Sequence, residues 1–469
     1  MWQSEHGRCL LRDAERPPPA GVAHPSREVR QQQVRPSSAR HRADYSAKPS
    51  AHQRIAMSET TRTLSLFPPE EEDVSQPRVA VPRRYRPVGF PVLFAACVVT
   101  GIVIGPLFVG YLPRAQLVAM VAEGGWLRLL FTLSMALGTL WLSATLHLVF
   151  HELGHMAFGT MCGMRPRAIC FGPYLFVRHT SGWRQHPPMV VKGIGGFAMM
   201  LPHPDRAFGN GSMVLFVLGG AAMNLFLAIA GFVVLQQLTS APAEMRIAVA
   251  LFALLGVLFA AMSLTPRLSH GWMTDGRWLL ETLHGTEQSR ILRESMRISA
   301  LSMSGVRPSA WPTVLPHTAL LSGFFPVVAM EALGLELLRS LDRGDRARAD
   351  VLAGELRGQY VGLSVFHRTY AALWLAVYAA DTDPSPELLA AWIDQAKGDT
   401  ILPVNGLRFW LAAELAMRRS DPDGVRSAML LAHEALRIES DSGETALIVD
   451  RLDRLQKRLL ETQPSHPSH

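Results

Sequence analysis

Four stretches of this chain approach the roughly 20 predominantly apolar residues that a helix needs to cross a bilayer. They cover residues 89–112, a run that starts near 126 and continues to 150, then 213–235 and 247–264. One such run fits the core of a soluble helical protein, but four leave too much apolar surface for a single water-excluded core to absorb. The composition agrees, with 48% hydrophobic and only 18% charged residues, against roughly 25% charged in an ordinary soluble protein. These observations predict an all-α integral membrane protein, a polytopic bundle of about four transmembrane helices.

Lys and Arg set the expected orientation, because short cytoplasmic loops carry them in excess. Arg78, Arg83, Arg84 and Arg86 precede the first run. Arg165, Arg167, Arg178, Arg184, Lys192 and Arg206 lie between the second and third, and Arg267 and Arg277 follow the fourth. The other two loops hold only Arg114 and, at the very edge, Arg246. Both termini are therefore expected in the cytoplasm of a cell in whose inner or cell membrane the bundle sits.

The formal net charge of +7 does not point to nucleic acid. Residues 1–56 hold ten Lys/Arg and five Asp/Glu, so most of the excess lies in a leader rich in Pro, Ser, Gln and Arg. That leader belongs to an expected disordered basic region, 1–85, and Met57 with the "SETTRTLSLFPPEEED" after it resembles a natural start. The four cysteines (Cys9, Cys97, Cys162 and Cys170) form no Cys-x-x-Cys pair and are expected as reduced thiols.

Where the second apolar run ends, the sequence reads "LHLVFHELGHMAFG", with His151, Glu152 and His155 among apolar neighbours. Ionisable side chains at membrane depth cost several kcal/mol and persist where a function uses them. Residues i and i+4 share a helix face, so His151 and His155 can both face one ion. The pattern His-Glu-x-x-His is that of a hydrolytic zinc site, with Glu152 beside the ion to act on its water. Such a site takes three protein ligands and leaves a fourth position open.

A third ligand is not in the local motif. The position six residues after His155 is Met161, and no Asp or Glu occurs from 156 to 204. Of the first acids downstream, Asp205 sits in a polar loop and Glu244 falls at the opposite membrane face. Asp275, in "SLTPRLSHGWMTDGRWLLE", returns to the side of the histidines and is selected by topology. Its alternative role is to cap the helix that follows, and His270 and Glu281 are substitutes as ligands.

Residues 125–285 resemble the site-2 proteases, the M50 family of intramembrane zinc metalloproteases. His151, Glu152 and His155 match the family's first motif, which implies two zinc ligands and a catalytic Glu; Asp275-Gly276 matches its Asp-Gly motif, which implies the third ligand. "GGAAMNLF" is similar to the family's Gly-x-x-x-Asn stretch, with Asn224 in the Asn position, and "GIGGFAMM" to its Gly-Gly-aromatic segment, a short membrane-associated hairpin or loop. Ala221 and Ser263 depart from the family's usual Pro and Asn. Read from the residues, Asn224 is an amide that must find a partner inside an apolar span, steadying a substrate backbone or another helix. Gly195 and Gly196 form either a tight turn or a place where substrate backbone comes close.

From about 287 the chain turns polar with helical periodicity. Its helices are expected to break at Asp-Arg-Gly-Asp and Ser-Asp-Pro-Asp-Gly, and helix-pair repeats have no fixed period in the sequence. The expected organisation is thus a basic arm (1–85), a transmembrane zinc metalloprotease domain (86–285) and a soluble, cytosolic helical domain (286–469) open to a cytosolic partner. The expected activity is hydrolysis of membrane-protein substrates at the lipid bilayer with Zn2+, Glu152 as general base, and substrate contacts from Asn224, Gly195 and Gly196. The competing reading is a non-proteolytic membrane scaffold or transport accessory that keeps zinc for structure. No nucleic-acid partner is expected.

Overall fold

A computed structural model describes residues 66–69, 114–179, 182–186, 195–206, 208–269, 271–315, 324–439 and 442–462. The first apolar run, 89–112, the expected leader 1–56 and His270 lie outside the described residues. From Arg114 to Met161 no proline interrupts the chain, and it forms one helix, α1, which begins before the expected 126. The helix stops where Gly163 adopts a left-handed φ of 78°. Gly163 N–H then donates to the Thr160 carbonyl at 2.9 Å and Met164 N–H to the Gly159 carbonyl at 2.9 Å. This paired closure satisfies the last carbonyls of α1 and turns the chain directly into a strand.

The sheet that follows departs from the all-α expectation, which allowed only a hairpin or loop. Strands β1 (Arg165–Phe171), β2 (Tyr174–His179), β3 (Gly182–Gln185) and β4 (Gly196–Leu201) form an antiparallel sheet in the order β3-β2-β1-β4. The cause is a period-two pattern: Leu175, Val177 and His179 are buried along β2 while Tyr174 and Arg178 face out. Helical periodicity cannot supply such a face. The buried side of Ala168, Cys170, Leu175 and Val177 packs with Ile401 and is flanked by Phe366 and Leu402, far along the chain.

Helices α2 (Asn210–Gln237) and α3 (Ala243–Leu264) are, among the described residues, long and apolar enough to cross a membrane. Large apolar side chains point outward from this bundle, with Phe131 65% and Trp141 71% exposed on α1 and Phe226 64% exposed on α2. Apolar outward faces of this kind suit lipid rather than water. After a two-strand ladder, β5 (Leu268–Ser269) with β6 (Trp272–Met273), comes the short helix α4 (Asp275–Leu283).

The rest is helical: α5 (Glu287–Ser302), α6 (Pro326–Arg343), α7 (Arg346–Tyr360), α8 (Val365–Thr382), α9 (Pro386–Gln395), α10 (Asn405–Arg418), α11 (Pro422–Ile438) and α12 (Gly443–Thr462). Both breaks fall where the sequence places them. Gly344 ends α6 at φ 73° and Asp345 caps α7, while Asp421 caps α11 by accepting from Gly424 N–H. A repeat that the sequence hides is visible in the fold. The first helices of three successive pairs begin at 326, 365 and 405, and a final single helix begins at 443, a spacing of roughly 40 residues typical of stacked helix pairs.

Candidate metal centre

The site begins with a close contact between α1 and α2. A Cβ added at Gly219 would lie 2.6 Å from the Gly154 carbonyl oxygen, and one at Gly154 would overlap the carbonyl of Gly219. The two backbones therefore touch. At Gly220 an added Cβ would lie 2.5 Å from both His151 Cε1 and His155 Nε2, so the imidazoles occupy the space that this glycine leaves open. Sequence reasoning passed over Gly219 and Gly220 as functional positions. Their signal was the "GG" of "GGAAMNLF".

The two imidazoles point together, with their Nε2 atoms 3.2 Å apart. Asp275, at the start of α4, brings Oδ2 to 3.0 Å from His151 Nε2 and 3.3 Å from His155 Nε2. All three donor atoms lie within 4.8 Å of one another, and the group could hold a metal ion. The spacings fit a tetrahedral ion: bonds of about 2.0 Å place neighbouring donors about 3.3 Å apart. A donor set of two imidazoles and one carboxylate matches the hydrolytic type.

The remaining ring nitrogens fix which atoms face the ion. His155 Nδ1 lies 2.8 Å from the Phe216 carbonyl oxygen, which can only accept, so Nδ1 carries the proton and Nε2 the lone pair. His151 Nδ1 meets the Asn224 amide at 3.0 Å, and the far side of that amide meets His147 Nδ1 at 3.2 Å. His147 Nε2 in turn lies 2.9 Å from the Phe252 carbonyl, so it is the protonated nitrogen of a neutral ring and Nδ1 accepts. With Oδ1 drawn toward His147, two acceptors would face each other. Turning the amide over lets its NH2 donate to His147 and its oxygen accept from His151 Nδ1–H, and every member is satisfied. Both histidines then present unprotonated Nε2 atoms, as a metal ligand must.

Asp275 is not spent as a cap. Thr274 is the N-cap position, and the Asp275 carboxylate instead accepts from Ser263 Oγ at 2.7 Å. Gly276 has a steric reason to follow Asp275, since a Cβ there would overlap the Leu264 carbonyl at the end of α3. Among the competing acids, Glu281 is tied to Arg277 and accepts from Thr286 Oγ1 at 2.6 Å, and Asp205 is 86% exposed beside His203.

Glu152 is only 4% exposed and interacts electrostatically with His155, His151 and Asp275. Burying a carboxylate is costly to the fold. Strand β4 passes over it: a Cβ on Gly196 would lie 2.9 Å from Glu152 Oε1 and 2.6 Å from the Cys170 carbonyl. Gly195 accepts from Gly172 N–H at 2.8 Å, beside Leu148. Burial, with the nearby charge of Glu152, pushes the Cys170 thiol up to about 11, so it stays protonated at neutral pH. The expected substrate contact from Asn224 meets a different arrangement. Asn224 is fully buried and both amide atoms are already engaged by His147 and His151.

Residues 139–253 match the model of peptidase family M50. This segment is an M50 peptidase domain. Comparison with curated proteins and with solved structures gave no match. The M50 segment contains His151, Glu152, His155 and Asn224 but ends within α3, so Asp275 joins the group by geometry rather than by the family match.

Two variants probe this geometry. Gly276→Ala retains all three donor residues but cannot keep α4 against Leu264, which displaces Asp275; zinc content of the purified protein should drop well below one ion per chain. Asn224→Leu removes the acceptor for His151 Nδ1–H, and chelator competition should show zinc affinity lowered about 10- to 100-fold. Unchanged zinc binding in both variants would contradict the arrangement.

Proposed function

We propose that this chain is an intramembrane zinc endopeptidase of the site-2 type. The observation that carries the proposal is the convergence of His151, His155 and Asp275 beside the buried Glu152. His151, His155 and Asp275 would hold Zn2+, and the M50 match supports that metal because the family is generally zinc-dependent. When bound, the ion supplies Lewis-acid polarisation of the scissile carbonyl and lowers the pKa of the attacking water. Glu152 takes the proton from that water at its carboxylate and passes it to the leaving amine nitrogen. Asn224 and Phe216 keep the ligand rings in the required tautomer and orientation. Ser263 holds Asp275 Oδ2 through its hydroxyl.

A helical substrate must unwind before its peptide bonds can be reached. Among the described residues strand β4 has β1 as its neighbour on one edge of the sheet, and a Cβ on Gly196 would meet Glu152. An extended substrate segment added at that edge would lie along Gly195 and Gly196 within reach of the site. The small size of Gly196 is what lets β4 approach Glu152 at all.

The membrane arrangement we favour has four crossings and both termini in the cytoplasm. Residues 66–69 are bonded to the C-terminal helices (Phe67 to Arg357 and Leu66 to Trp392), which supports an arrangement with the arm before the first apolar run and the helical domain on one side. Such an arrangement needs an even number of crossings between them. The spans α1, α2 and α3 then require one more, which the run at 89–112 provides. A reporter fused after His469 should be active on the cytoplasmic face; activity confined to the outer face would overturn the topology.

Glu152→Gln separates hydrolysis from a structural zinc site. Gln keeps the shape but cannot take the proton, and general-base help is worth a factor of about 100 to 10,000. Cleavage of co-expressed single-span membrane proteins should fall by at least the lower figure while zinc content stays at the wild-type level. Full cleavage by this variant would refute the protease, and a silent phenotype with zinc retained would favour the scaffold reading.

A further inference from the structure

Leu66–Pro69 make specific contacts with helices about 290 and 326 positions further along the chain. Trp392 of α9 donates its indole N–H to the Leu66 carbonyl at 2.8 Å. Arg357 of α7 donates Nε–H to the Phe67 carbonyl at 2.7 Å. The Leu66 side chain is partly buried against the core of the helical domain, whereas Phe67 stays 44% exposed.

The receiving surface is built rather than incidental. Trp392 is only 1% exposed, and its ring meets Tyr360 edge-on at 5.3 Å. Its indole N–H is a buried donor, and such a group is rarely left without an acceptor. Among the described residues the acceptor is the Leu66 carbonyl, so the arm completes the polar accounting of the core. Arg357 likewise reads main chain. Two backbone carbonyls read by side chains, with one apolar anchor in a pocket, is how domains hold short extended peptides. Pro68 and Pro69 suit that role, because proline restricts the backbone and biases the residue before it to extended conformations. Less conformational freedom is then lost on docking.

We propose that the α7–α9 face of the helical domain is a docking site for a short extended peptide of apolar–aromatic–Pro-Pro type, and that Leu66–Pro69 of the same chain is its resident ligand. The contact straps the N-terminal arm to the helical domain. It is independent of the metal centre and stands whether or not the chain is a protease.

The test uses the full chain in membranes, with a photo-crosslinking p-benzoylphenylalanine at position 67, where the half-exposed Phe67 leaves room for it. Irradiation should yield an intramolecular crosslink mapped by mass spectrometry to residues 346–395. Leu66→Asp, in the arm and so harmless to the helical core, should lower the yield about tenfold, as expected when a buried apolar anchor becomes a charge. Arg357→Ala should lower it as well. A synthetic peptide of residues 63–72 ("TLSLFPPEEE"), added in excess, should compete the crosslink away, and its Leu66→Asp counterpart should not. A crosslink mapped outside 346–395, one formed between two chains, no crosslink at all, or a yield indifferent to Leu66→Asp and to the peptide would each overturn the proposal.

Discussion

The metal centre depends on two helix backbones being in contact. Gly154 on α1 and Gly219 on α2 let the helices approach until backbone meets backbone. Only at that distance can the Phe216 carbonyl reach His155 and the Asn224 amide reach His151. Without a hydrophobic driving force between helices in lipid, close packing of small residues and hydrogen bonds must hold them. The same contact therefore supplies both the packing and the orientation of the ligands. A side chain at Gly154 or Gly219 would push the two backbones apart, and one at Gly220 would collide with both imidazoles.

The sheet serves as the coupling between the membrane bundle and the helices that follow. Its first strand leaves α1 through the closure at Gly163, so its position is fixed within a few residues of the candidate ligand His155. One face of the sheet packs on Ile401 and Phe366 of the helical domain, and its edge strand covers Glu152. A displacement of the helical domain would thus be felt at the strand beside the candidate base. The strap at Leu66–Pro69 adds a second tie to the same domain from the other end of the chain.

Buried ionisable groups are handled in two contrasting ways. Arg451 is paired with Asp381 by two bonds, and Glu414 lies between Arg418 and Arg458. These pairs satisfy their charges, as buried ions must. Glu152 has no such partner among the described residues, though it is equally buried. The difference separates groups that hold the helical domain together from one kept available for chemistry.

Much of this was readable from the residues. The pattern from His151 to His155 specifies its own geometry, because helical periodicity puts i and i+4 on one face. Asp275 follows from charge asymmetry across the membrane, which limits which acids can share a side with the histidines. The breaks at Gly344 and Asp421 are local turn chemistry and needed no tertiary information. Three things were decided only by the folded chain. The sheet at 165–201 depends on the core it meets, because alternation identifies a strand only when one face has something to bury against. The role of Asn224 depends on which polar atoms surround it, and that places it between two histidines rather than toward a substrate. The docking of Leu66 against Trp392, across most of the chain's length, leaves no periodic trace at all: contacts between distant segments are set by shape and hydrogen-bond complementarity, which no local spacing encodes.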